Sequence, residues 1–346
     1  MRFRITTLVS ITLGMLMIVP HQAMAAENDR VLLVVSGYGA DDGKTRPGFE
    51  MDELTQAWAV FTENGFEVDI ASPSGGTVVA DGFNPRKPYN SRFLADPEAA
   101  AELASTRSLA DLGEEKYAAV FVIGGKGAMF DLPISVPLKT LLAETYRAGG
   151  VIGAVCHGPA VFMNVSLEDG TSLLEGRAVT GFSNEEEALF GKGWALHFPI
   201  LLENGLRGSG AVYSEAPMML THVVADGRLV TGQNPYSTAA AAEAMIRAMG
   251  RTPVQREPWA DERSITLLSQ MTSGQGEQAR AAFSADPSLY DVPLIAMWGF
   301  YRARTAGSDR EALSQAAAIM ELALPHFDKP ELAAALADAR KRLAAR

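Results

Sequence analysis

The sequence predicts an α/β fold: a doubly wound, mostly parallel, flavodoxin-like sandwich followed by an all-helical extension. Three observations lead there. Short apolar, β-branched runs recur at 31–36, 66–72, 118–124 and 151–156; helically spaced segments lie between them; and strand signals stop after residue 250. Continuous apolar strands alternating with helices indicate a parallel sheet covered on both faces.

The elements follow in order. Residues 1–25 read as a secretory signal peptide, with Arg2 and Arg4 ahead of an apolar stretch at 5–19 and small residues at Ala23 and Ala25 before the expected cut. The stretch is too short for a spanning helix and runs into Pro20-His21-Gln22, so the mature chain is expected to have no membrane span and to reside in the periplasm. The α/β domain is expected over 26–252. Within it, Met51, Leu54, Trp58 and Phe61 share one helical face, 136–148 forms another helix, Asp226-Gly227 marks a hairpin turn, and an alanine-rich helix over 237–249 closes the unit. Residues 251–264 read as a polar, proline-containing linker. The extension, 253–346, carries Trp298-Gly299-Phe300, Ala312 and Ala316 at helical spacing and then Pro325. It resembles about one and a half tetratricopeptide helix-turn-helix units, too few to stand alone. It either covers apolar surface or offers a contact for another protein.

The chain has 346 residues and a formal charge of −11, which loss of the leader makes more negative by two. An acidic chain without a basic stripe points away from nucleic acid and anionic membranes. A single cysteine, Cys156, excludes an internal disulfide; the thiol is either buried for packing or used for chemistry.

Chemistry is the reading the neighbourhood favours. In VIGAVCHGPA an apolar strand stops at Cys156 and turns through His157, Gly158 and Pro159, which is expected to hold the sulfur at a helix N-terminus where thiolate is favoured. Ligands of open parallel sheets bind beyond the carboxyl ends of the strands, so the loops there are searched for partners. The first leads into a helix with Glu53 in its opening turn, a carboxylate placed to exchange a proton with the thiol. The second, GGKGAMFD, presents backbone N–H groups at Gly125, Lys126 and Gly127 for an oxyanion. The third, TGFSNEEEALFG, offers a carboxylate to orient His157. The fourth, TGQNPYS, brings Asn234 to the pocket rim. The spacing of His157, His197, His222 and His326 suggests no metal site.

Taken together, AVCHGPA, the upstream glutamate, DGKT and GFE before it, the GGxG turn, VTGFSNEEE and DGRLVTGQNP resemble the ThiJ/PfpI superfamily of glutamine amidotransferase-like fold. More narrowly they resemble its heat-shock chaperone-like branch of glutathione-independent glyoxalases, over about residues 30–250. The resemblance implies Cys156 as nucleophile, Glu53 as its hydrogen-bonding glutamate, His157 as the histidine that follows, and Glu187, with Glu186 as rival, as the acidic third member. Backbone N–H groups near Gly125, Lys126 and His157 would bind the oxyanion. Lys126 departs from the pattern, since many relatives carry histidine there. The implied substrate is a small carbonyl compound, a 2-oxoaldehyde such as methylglyoxal converted to lactate, with no metal or organic cofactor; a homodimer is the implied assembly. A PfpI-type amidase or peptidase using the same cysteine–histidine pair is the alternative enzyme, and a chaperone or redox sensor the non-enzymatic one.

Overall fold

The structure, a computed structural model, describes residues 29–345 except 114 and 192. The signal peptide expected at 1–25 lies outside the described residues. The chain begins β1 (Arg30–Val34), α1 (Met51–Glu63), β2 (Glu67–Ser72), α2 (Pro88–Ala95), α3 (Pro97–Ala104), β3 (Arg107–Ser108), β4 (Ala119–Val122), α4 (Val136–Arg147) and β5 (Val151–Val155). It continues through β6 (Ala178–Val179), α5 (Asn184–Phe190), α6 (Leu202–Gly208), β7 (Val212–Tyr213), β8 (Val223–Asp226), β9 (Leu229–Gly232) and α7 (Thr238–Ala248). Five more helices follow: α8 (Ala260–Thr272), α9 (Gly276–Ala285), α10 (Val292–Thr305), α11 (Arg310–Ala323) and α12 (Pro330–Ala344).

Seven strands form one sheet in the order β3-β2-β1-β4-β5-β9-β8, parallel except for the β8–β9 hairpin at Asp226-Gly227. β1, β4 and β5 are buried on both faces, which is why they read as unbroken apolar runs rather than alternating ones. The strand order reverses between β1 and β4, and the loops beyond the carboxyl ends of β1, β4, β5 and β9 form the crevice expected at such a point.

α1 is an interior helix, with Leu54, Trp58 and Phe61 buried against the sheet. It ends where Asn64 hands over to Gly65 at φ +80°, a left-handed position that glycine takes without strain. α4 starts at Ser135, whose hydroxyl accepts from the Leu138 N–H, with Pro137 just inside the helix.

The expected linker is shorter than the sequence suggested. α8 already begins at Ala260, because the Glu262 carboxylate accepts from the Trp259 N–H and Asp261, Ser264, Ile265 and Leu268 turn inward. Its polar letters belong to a capped, half-buried helix. The helices α8–α12 gather a second apolar core around Leu268, Phe283, Ile295, Trp298, Ile319 and Met320, to which Met218 and Leu220 of the α/β part contribute. Gly299 lets α10 approach α11 closely; a Cβ there would lie 2.9 Å from Met320 Cγ.

Candidate active site

Cys156 sits one residue past β5 with φ +58°, a left-handed conformation costly for a side chain and held by bonds on both sides. Its N–H donates to the Gly232 carbonyl and its carbonyl accepts from the Phe182 N–H. The chain then enters a seven-residue 3-10 helix, Gly158–Asn164, rather than the expected α-helix. Gly158 and Gly124 are required at this crossing: a Cβ on Gly158 would meet the Val122 carbonyl at 2.5 Å, and one on Gly124 would meet Cys156 Cβ at 2.7 Å.

The sulfur has two titratable partners. On one side, His157 Nδ1 lies 3.3 Å from Sγ, while Nε2 lies 2.8 Å from Glu187 Oε2. A carboxylate at Nε2 calls for the N–H there, which leaves the Nδ1 lone pair facing the thiol. Burial pulls the His157 pKa down, against the pull of Glu187. On the other side, Glu53 is fully buried in the first turn of α1, and its Oε2 accepts from the Gly124 N–H at 2.7 Å. The other carboxyl oxygen is buried without a hydrogen-bond partner among the described residues, and the carboxyl is near enough to Cys156 for each to shift the other's ionisation.

Burial raises the Glu53 pKa well above the usual carboxylate range, with Glu50 adding to the effect. Burial also raises the thiol, and the Glu53 charge reinforces it, while the Gly125 N–H pulls the other way. This corrects the expectation of a helix N-terminus that favours thiolate. Two adjacent anions are the most penalised state in a low-dielectric interior, so the pair keeps at least one proton between its members.

Gly125, at φ +89°, is packed so tightly that a Cβ would lie 2.5 Å from the Glu50 nitrogen. Among the described residues neither its N–H nor that of His157 donates to a backbone carbonyl, and the Gly125 N–H is directed at the Cys156 sulfur, where an oxyanion formed on the adduct would meet it. Gly127 does not join them, because its N–H donates to the Gly48 carbonyl at 2.9 Å and serves the turn. Lys126 is half-buried, and its charge lowers the pKa of both Glu50 and His157. Asn234 is the other correction. It is fully buried, with Nδ2 donating to Glu186 Oε1 and to the Leu220 carbonyl, both at 2.9 Å, and it ties loops together instead of lining a rim.

The same network separates the two glutamates. Glu186 accepts from the N–H groups of Ser183 and Met219 as well as Asn234, closing a capping box at the start of α5. Burial lifts its pKa to about 7. Glu187, one residue on, points to His157.

Several participants carried no signal in the sequence reading. Asp131 ties the loop after β1 to the loop after β4, accepting from Ser36 Oγ at 2.8 Å and the Gly37 N–H at 2.7 Å. Tyr38 stacks on Phe130, which meets Phe198 edge-on, and Phe182 and Phe198 flank the His157 ring at 4.5 and 5.7 Å. These aromatics keep the imidazole side dry; Cys156 and His157 are 3% and 1% exposed. Glu50, at the start of α1, has its pKa lifted to about 7 by burial and by Asp52. Among the described residues, no group of three or more His, Cys, Asp or Glu is placed to hold a metal ion. No helix among them is long and apolar enough to cross a membrane.

Known proteins share this architecture. The chain is 32% identical over 247 residues to the glutathione-independent glyoxalase hsp3101 of Schizosaccharomyces pombe, covering 65% of this chain and 97% of that protein. It is 31% identical to glutathione-independent glyoxalase HSP31 of Saccharomyces cerevisiae, covering 64% and 98%. Among solved structures, glyoxalase III from Candida albicans superposes with a TM-score of 0.58 at 30% identity, over 63% of this chain and 96% of that one. The rapid encystment protein of Francisella tularensis superposes with a TM-score of 0.60 at 32% identity, over 64% and 98%. The DJ-1/PfpI family profile matches residues 45–248. That match takes in Glu53, Cys156, His157 and Glu187 and stops at the last residue of α7, so the chain belongs to the DJ-1/PfpI family, with α8–α12 lying outside the match.

Proposed function

We propose that this protein is an exported, cysteine-dependent enzyme of the glutathione-independent glyoxalase type, converting methylglyoxal and related 2-oxoaldehydes to 2-hydroxy acids in the periplasm. The supporting observation is the run from Cys156 through His157 to Glu187, with the buried Glu53 carboxyl and the Gly125 N–H both acting on the sulfur. The names of the relatives point the same way.

In this reading Sγ, its proton passed to His157 Nδ1, adds to the aldehyde carbon. The resulting hemithioacetal oxygen faces the N–H groups of Gly125 and His157. Glu53 removes the proton from C1, giving an enediolate, and a proton is returned to C2. The carbonyl re-forms at C1 as a thioester of the 2-hydroxy acid. Water cleaves it and restores the thiol, so one molecule of water is consumed and no electrons leave the system. A carboxyl group with a raised pKa suits this exchange, because it both accepts and returns a proton near neutrality.

The test is lactate formation from methylglyoxal by the reduced protein without glutathione. Production by wild type and its loss in Cys156→Ala support the reading; no lactate from folded, reduced wild type rejects it. Ammonia or peptide release from amide substrates would instead assign hydrolysis, and chaperone activity that survives Cys156→Ala a non-enzymatic role. Accumulation of the processed protein in the periplasmic fraction tests export.

A further inference from the structure

The helices beyond the family match reach back to both carboxylate-bearing helices of the site. At α1, Asp52 neighbours Glu53; its carboxylate takes the Lys87 ammonium at 2.6 Å and the Asn90 amide at 2.6 Å. The buried Tyr89 hydroxyl bridges this group to α8, donating to Asp261 Oδ2 at 2.6 Å, with Asp52 Oδ2 at 3.3 Å. Lys87 also lies 3.6 Å from Asp261, and the Tyr89 ring packs edge-on to Trp259. At α5, Tyr301 of α10 packs edge-on against Phe190. Trp298 Nε1 donates to the Met218 carbonyl at 2.9 Å, and the next residue, Met219, gives its N–H to Glu186, the neighbour of Glu187.

Covering apolar surface needs none of this polarity. Asp261 and Tyr89 are 4% and 1% exposed, and buried charges stabilise little compared with apolar packing of the same volume. What such a cluster does provide is direction: the charges are satisfied in one arrangement, and a small slip leaves one unpaired in low dielectric. The two contacts fall on the two helices whose carboxylates flank Cys156–His157.

We propose that the helical extension is a positioning module for the site, in which Asp261 and Trp298 hold α1 and the start of α5 where Glu53 meets Cys156 and Glu187 meets His157. This rests on the four-residue site and not on the choice of substrate. Neither Asp261 nor Trp298 touches the reacting atoms; both are positioning residues.

The lone cysteine supplies a readout independent of turnover. The rate of Cys156 alkylation by iodoacetamide against pH, in the full chain, reports the thiol directly. The charged and titratable groups around the Cys156–His157 pair are Glu50 and Glu53 from α1 and its entry, Lys126 and Asp81 from adjoining loops, and Glu187 from α5. Asp261→Asn and Trp298→Phe alter none of them. Both are conservative, keeping an acceptor oxygen for Tyr89 at 261 and a large ring at 298.

In variants with wild-type circular dichroism, loosening α1 or α5 admits water and relieves the burial that raises the thiol, so the alkylation profile moves to lower pH. Where lactate formation is measured, kcat falls about 10- to 100-fold with KM little changed, the scale expected of an ångström-sized misplacement. Folded variants with a wild-type alkylation profile, whatever their melting temperature, would overturn the proposal and leave the extension as a cover. Absence of lactate from wild type would refute the glyoxalase reading and leave the alkylation result to decide this one.

Discussion

Replacing Glu53 with glutamine should make the thiol easier to ionise and the enzyme far slower. The structure separates the two effects. A glutamine keeps an acceptor for the Gly124 N–H, which now binds Glu53 Oε2 at 2.7 Å, so the fold of the turn and KM should change little. Burial continues to raise the thiol, but the Glu53 charge that adds to it is gone, and the amide offers an N–H to the sulfur. Alkylation at neutral pH therefore accelerates, and its profile moves to lower pH. The amide, however, neither takes a proton from C1 nor returns one. Positioned proton transfer is worth about 10²- to 10⁴-fold, or about 3–5 kcal/mol at 1.36 kcal/mol per decade. The assays are lactate formation from methylglyoxal and iodoacetamide alkylation on the same preparations. A variant with kcat within about threefold of wild type, far inside the loss expected of a missing proton carrier, would refute the reasoning. So would a thiol that becomes harder to alkylate.

Gly125→Ala should cost about 2–6 kcal/mol by urea denaturation and abolish lactate formation. The residue occupies φ +89° and ψ 156°, a region worth about 1–3 kcal/mol to a non-glycine, and its new Cβ would lie 2.5 Å from the Glu50 nitrogen, an overpacking worth about 1–3 kcal/mol more. Glu186→Gln should flatten the pH dependence of stability. The Glu186 pKa is raised from 4.5 to about 7, so its contribution is fully present below 4.5 and is lost as pH rises through about 7. Urea midpoints at about pH 5 and about pH 8 should therefore fall more steeply for wild type than for the variant, and parallel slopes would assign the pH dependence to other groups.

How much was legible in the sequence varied with the range of the interaction. The strand-turn at 151–160 was readable because each of its requirements is local: an apolar run buried on both faces, a cysteine at the end, and glycines where backbone approaches backbone. The first turn of α1 was readable for the same reason. Glu186 and Glu187 are adjacent letters on one short helix, and nothing local distinguishes them. Their roles part because the Met219 N–H and Asn234 reach one while His157 reaches the other, across separations of 30 residues or more. Asn234 was misplaced on the same account, since a turn-forming asparagine looks alike whether it faces a pocket or a buried glutamate.

The sequence by itself determined the alternation of the central strands with their covering helices, the single thiol, and the glycine-shaped turn that holds it. Those are consequences of periodicity and backbone sterics, which operate over a few residues. Only the tertiary structure decided the proton balance of the site, because burial and the company of Glu53 and Glu50 outweigh the Gly125 N–H and the local preference of a strand end. It alone also joined Asp261 to Asp52 through Tyr89, a contact spanning 172 residues between tyrosine and aspartate. Charge and desolvation act through space, and the neighbours that set them are chosen by the packing of the whole chain.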